Sequence, residues 1–285
     1  MGGGGGMNVT GGLGAGRDDA ATLCAISVVA AALANVLHEG VGHAAVALAT
    51  GTQSGVLSTV AWSSGVDSRL VAAGGTLVNL AAGLVFWWAL RRAASTSGAS
   101  GARRPASVEM RVFLWLSMAF NLFTGTGYFF FSGVTNFGDW AAVIVGLGAH
   151  WAWRTGLVLV GAASYYGAIL ALGAGLVRYV GVGLGGADGG RMRRMTLIPY
   201  LTAIVLLTVG GLPNPLGMKL VWESALPSTA GADCGLIWMK YYIPKRTAPD
   251  VERELVRRSW GWVGVAAVVA GVFVLVLGRG IGLHR

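Results

Sequence analysis

Charge is scarce in this 285-residue sequence: 12% of the residues are charged, 21 basic and 12 acidic. A water-soluble domain carries about twice that fraction, so most soluble classes are excluded. Cysteine is scarcer still. Cys24 and Cys234 are the only two, too few for a disulfide framework, and Cys24 stands in an apolar run where it behaves as a small hydrophobe. No cleavable secretory signal is expected from the first residues. Residues 1–19 include MGGGGG and GGLGAGRDD, lack the basic-then-apolar order of such a signal, and read as a flexible Gly-rich tail.

Apolar residues dominate. They make up 54% of the chain, and mean hydropathy is +0.65, which places the chain in a bilayer and makes topology the fold question. The net charge of +9 does not point to nucleic acid, because the basic residues sit in short loops between apolar runs instead of on one wet face. Membrane lipid is their expected partner. Arginine outnumbers lysine 18 to 3, which reads as genome composition, and the expected location is a prokaryotic cell membrane.

Charge-free runs of spanning length cover 21–37, 70–90, 112–134, 155–177, 195–212 and 259–278. They predict an all-α polytopic membrane protein with six transmembrane helices. The run 141–153 is too short to cross about 30 Å of hydrocarbon and reads as a half-span or interfacial helix. Trp87 and Trp88 precede Arg91 and Arg92, and Trp260 and Trp262 follow Arg257 and Arg258, as in an interfacial belt. Arginines around 91–111 and 178–194 mark two connections as cytoplasmic, so the first helix enters from the cytoplasm. The connection 213–258 should then be external, yet it carries Lys219, Lys240, Lys245, Arg246, Arg253, Arg257 and Arg258. Its mixture of apolar residues, prolines, Glu223 and Asp233 suggests an amphipathic or re-entrant stretch.

An ionisable group inside a span is costly, about 2.5 kcal/mol or more for a central carboxylate, and so marks a functional site. Two places qualify. In LHEGVGHAA, His38, Glu39 and His43 interrupt an apolar segment; in NFGDW, Asp139 follows the third span. Two of the four histidines bracketing a glutamate is the composition of a zinc site, in which imidazoles bind the metal and the carboxylate acts as general base. The usual helical spacing is H-E-x-x-H. Here it is H-E-x-x-x-H, which puts His38 and His43 about 140° apart on a regular α-helix. A π-type bulge brings i and i+5 onto one face, and Gly40 and Gly42 ease that distortion. Alternatively, Glu39 pairs with His43 and His38 stays outside, or the cluster is a polar network bonded to carbonyls. Asp139 is readable equally as an N-cap of the following helix. His150 reads as interfacial, and His284 as part of the tail.

These residues resemble the site-2 protease superfamily of intramembrane zinc metallopeptidases. The resemblance rests on HEGVGHAAVALATG, on AAGGTLVNLAAG at 72–83, and on FNLFTGTGYFFFSGVTNFGDW at 120–140, and covers about half of the chain. It implies His38, His43 and Asp139 as ligands of Zn²⁺, Glu39 as the catalytic base, and Asn79 as a residue holding the substrate strand or oxyanion. It further implies a transmembrane protein substrate, cleaved in a slot flanked by Gly125, Gly127 and Gly133. Three departures stand out: the long histidine spacing, Thr76 in place of a proline, and NFGDW in place of an L-D-G or N-P-D-G element. The zinc peptidases of the dipeptidyl peptidase III family have a similar H-E-x-x-G-H motif. The competing functions are a non-catalytic binding or regulatory module and a transporter with Glu39 and Asp139 as an ion relay. The expected division is a metal-site core at 20–153 followed by additional helices at 154–285.

Overall fold

The computed structural model describes residues 17–65, 68–95, 105–182, 188–215, 219, 221–242 and 254–285. The chain is nearly all helix. Helix α1 (Ala20–Val36) passes into a π-helix at Leu37–Ala45 and ends in α2 (Val46–Ala49). There follow α3 (Arg69–Ala94), α4 (Val108–Thr135), the short α5 (Asp139–Ile144), α6 (His150–Gly175), α7 (Asp188–Gly211), α8 (Gly235–Tyr242) and α9 (Trp260–Leu275). Six helical segments are long and apolar enough to cross a bilayer, as the composition implies. Three of the starts are capped by the side chains of Asp19, Ser68 and Ser107, which accept N–H bonds from Thr22, Val71 and Met110, satisfying donors that a helix leaves open.

Helix α4 is the axis of the bundle. Trp115, Phe120 and Phe123 are fully or almost fully buried, and the Trp115 indole donates to the Leu172 carbonyl of α6 at 2.9 Å. The outer faces of α3, α6 and α9 leave Leu84, Val85, Leu159, Val160, Val268 and Val272 exposed, which suits lipid better than water. Arg91 and Arg92 lie over the Trp87 and Trp88 rings at 5.0 and 4.5 Å, the expected belt.

The structure adds to and changes several expectations. Helix α1 packs on α7 and α9, and α3 and α6 both pack on α4, so contacts cross the expected division at 153/154. Residues 1–16 of the expected tail lie outside the described residues, but Asp18 is buried against Arg191, with Oδ2 to Nε at 2.8 Å. The run 141–153 is divided between two helices: the short α5 ends at Ile144, and α6 starts at His150. A small sheet was not expected. Strands β1 (Ser54–Leu57), β2 (Trp62–Ser64) and β3 (Ile281–His284) pair antiparallel in the order β2-β1-β3, so His284 is a strand residue paired with Ser54.

The connection after α7 also resolves. Its start lies beside the sheet, where the Gly210 carbonyl accepts from Thr59 and Pro213 lies against Gly278. Its far end lies at the opposite end of the bundle: the Val256 N–H donates to Asp18 at 2.9 Å, and Arg191 Nη2 donates to the Glu254 carbonyl at 2.7 Å. The chain therefore traverses the bundle, and its described residues 221–242 form a broken helix, π-helical at Val221–Ala225 and Pro227–Gly231, then 3₁₀ at Ala232–Cys234, then α8. Arg257 and Arg258 consequently share an end with Arg111, Arg191 and Arg194, so the charge distribution no longer breaks the positive-inside pattern. Lys245, Arg246 and Arg253 lie outside the described residues.

Candidate metal centre

The π-helix at Leu37–Ala45 carries His38, Glu39 and His43, all buried. The wider turn brings the i and i+5 side chains together, as the spacing requires: the two imidazole centroids are 4.8 Å apart, edge to face. Close packing makes room for them. A Cβ on Gly42 would lie 2.4 Å from the Gly75 Cα, and a Cβ on Gly75 would lie 2.5 Å from His43 Nε2 and 2.6 Å from His38 Cε1. Only glycine at these two positions lets α3 lie against the histidine rings.

Asp139 reaches the same point from the other side. Helix α4 ends at Asn136 in the left-handed conformation (φ 57°), and Gly138 (φ 83°) caps α5, so the chain turns back and places Asp139 at the first position of α5. The N-cap role considered for it belongs to Gly138. Asp139 Oδ2 lies 3.2 Å from His38 Nε2 and 3.5 Å from His43 Nε2, and the two Nε2 atoms are 3.2 Å apart. Ligand atoms bound to zinc at about 2.05 Å with tetrahedral angles stand about 3.3 Å from one another. The triangle is the face of such a tetrahedron.

Hydrogen bonds on the far side of each ring fix what the triangle offers. Asn79 Nδ2 donates to the Ala34 carbonyl and to Asn121 Oδ1, at 3.1 and 2.8 Å. Its Oδ1 is therefore the atom facing His38 Nδ1, at 2.5 Å, and Nδ1 must carry the proton. The Val71 carbonyl, 2.7 Å from His43 Nδ1, imposes the same tautomer. Both Nε2 atoms therefore point at each other and at the Asp139 Oδ2, which makes no hydrogen bond. When both rings are neutral, three lone pairs converge and repel, and either a proton or a metal cation among them relieves the repulsion. The residues present fit a metal ion with two imidazoles, one carboxylate and an open fourth position.

Asn79 was expected to face substrate. The structure places it elsewhere: it is fully buried, its amide groups are committed to His38, Ala34 and Asn121, and it is not among the residues lining the cleft. It orients a ring from behind. Asn121 anchors Asn79 and was not singled out, although the quoted FNLF segment contains it. Tyr128, stacked on His38 at 4.9 Å, gave no signal among its aromatic neighbours. His150 is half-buried and bonds Asn136 at 2.9 Å, apart from the centre.

The triad opens on a cavity of about 1270 Å³ lined by Glu39, His43, Trp62, Asp139, aromatic side chains of α4 and α6, and the broken helix from Glu223 to Trp238. Glu39 stands at its wall, with Oε2 accepting the Trp62 backbone N–H of β2 at 2.9 Å. Of the glycines expected to flank a slot, only Gly127 lines the cavity. Gly125 instead packs on Leu80, and Gly133 on Arg154 and Val158. Comparison of the chain with protein-family models, with characterised proteins and with solved structures gives no match.

Proposed function

We propose that the protein is an intramembrane zinc metalloendopeptidase that hydrolyses peptide bonds of membrane-embedded protein segments. The observation that carries this reading is the tetrahedral face formed by His38, His43 and Asp139 with Glu39 beside it. Zn²⁺ held there would lower the pKa of a bound water and polarise the scissile carbonyl. Glu39 takes the proton from the attacking water and passes it to the leaving amine nitrogen, so one water is added across one C–N bond with no net proton change. The N–H bond from Trp62 keeps its carboxylate at the cleft wall. Asn79 and the Val71 carbonyl keep both Nδ1 atoms protonated and both Nε2 atoms free for metal.

The cleft suits a peptide segment. Its volume of about 1270 Å³ exceeds the roughly 300–1,000 Å³ of small-molecule sites, and its lining is mostly apolar. A helical segment in lipid has every backbone group paired and must become extended before a peptide bond can be attacked. Strand β2 is an edge strand of the sheet and borders the cleft through Trp62, and an extended segment laid along it regains hydrogen bonds. The test is cleavage of membrane-inserted peptides by purified protein in detergent or liposomes. Glu39→Gln should reduce kcat by about 10²–10⁴-fold and keep its metal. Cleavage retained by that variant overturns the assignment.

A further inference from the structure

A second cavity, of about 30 Å³, borders the same centre. Its walls include Asn35, Thr59, Thr124, Thr229 and Asp233 together with His38 and Glu39. Among the described residues only Glu39 and Tyr128 line both cavities, so they form the partition between the apolar cleft and this polar pocket. Asp233 comes from the broken helix, at its 3₁₀ turn. It is 3% exposed, its Oδ1 has no hydrogen-bond partner, and no ion pair among the described residues reaches it. The hydroxyls of Tyr165 and Tyr200 hold the turn by bonds to the Ala232 and Ala230 carbonyls, which leaves Asp233 to face the pocket.

A water molecule needs about 10–15 Å³ and two to four polar partners. The pocket has space for one or two waters, and a carboxylate oxygen, an amide and hydroxyls in its wall. The apolar cleft offers little to hold water once a substrate segment fills it, yet each hydrolysis consumes one. We propose that the small pocket is a resident water site, anchored by Asp233, that keeps Glu39 hydrated while the cleft is occupied. The proposal rests on the peptidase reading for its role in turnover, but the water site itself does not. Asp233 touches no reacting atom in this scheme; it is a positioning residue acting through water.

Synchrotron hydroxyl-radical footprinting tests the site without catalysis, because radicals formed from a bound water mark side chains beside it. Phe120 lines the pocket and is 2% exposed. It should be labelled in the wild type and in D233N, and at least about fivefold less in D233L, whose side chain fills the space with carbon. Thr124→Val, which removes one hydroxyl at nearly constant shape, is the gentler probe and should lower labelling in the same direction. Unchanged labelling in D233L, or in Thr124→Val if D233L does not fold, overturns the water site. In cleavage assays D233L should lose about tenfold or more in kcat at unchanged KM, with D233N restoring most of it and zinc content equal throughout. Lost labelling with wild-type kcat overturns the role in hydration. Labelling that follows these expectations while no protein form cleaves any peptide supports the water site and removes the peptidase reading instead.

Discussion

Asn79 shows how a single buried amide sets the chemistry of a centre that it does not enter. Because both of its N–H groups are used by Ala34 and Asn121, its oxygen forces the proton onto His38 Nδ1 and frees Nε2. Asn79→Ala should therefore weaken zinc binding about 10–100-fold, measured by competition with a chromogenic chelator, and Asn121→Ala should act in the same direction more weakly. Wild-type affinity in Asn79→Ala would contradict the tautomer argument. Gly75 is constrained by the ring atoms it faces: Gly75→Ala should abolish stoichiometric metal binding, while Gly167→Ala, which meets open space, should leave metal content unchanged. The four residues His38, Glu39, His43 and Asp139 were legible in the sequence because charge is so rare in a span. The role of Asn79 was not, since it depends on contacts among three helical segments that no spacing rule encodes.

Among the elements, the π-helix was inferable from spacing alone: two histidines five residues apart reach one point only on a wider turn. The sheet was not, because its strands are three or four residues long and β3 is more than 200 residues from its partner. The start of α1 has a measurable electrostatic signature. Arg258 donates to Asp19 at 2.8 Å, and this bond, with the N–H of Thr22, holds the Asp19 carboxyl down to about 2 from an ordinary 3.8. A depressed folded-state value means that the contribution to stability is complete above about 4 and is lost as the pH falls toward 2. Asp19→Asn retains a good capping side chain but has no such titration. Its melting temperature should therefore change less than that of the wild type between pH 5 and pH 2.5, and parallel profiles for the two proteins would contradict the coupling.

At the level of the whole molecule, the traverse of the chain from Gly210 at one end of the bundle to Glu254 at the other reconciles topology with charge. Six spans were legible as charge-free runs; this seventh traverse read only as an amphipathic or re-entrant stretch, because Pro227, glycines and the carboxylates Glu223 and Asp233 interrupt its apolar residues. With it, Arg91, Arg111, Arg191 and Arg258 fall at one end of the bundle, and the metal centre lies toward the other, near the start of α3 and the end of α4. The positive-inside rule predicts that the arginine-rich end faces the cytoplasm. Cysteines introduced singly into a Cys24→Ser, Cys234→Ser background should follow that order. One at the exposed Leu212 should react with a membrane-impermeant maleimide in intact cells, and one at the exposed Arg257 only after permeabilisation. Equal reactivity of both positions in intact cells would refute the traverse.

The central claim is that His38, His43 and Asp139 together hold one zinc ion, and metal analysis of the purified protein tests it most directly. About one zinc per chain is expected, retained in Glu39→Gln and lost in His38→Ala, His43→Ala and Asp139→Ala. A wild-type protein that binds no metal at saturating zinc, or three ligand variants that all keep it, would contradict the claim.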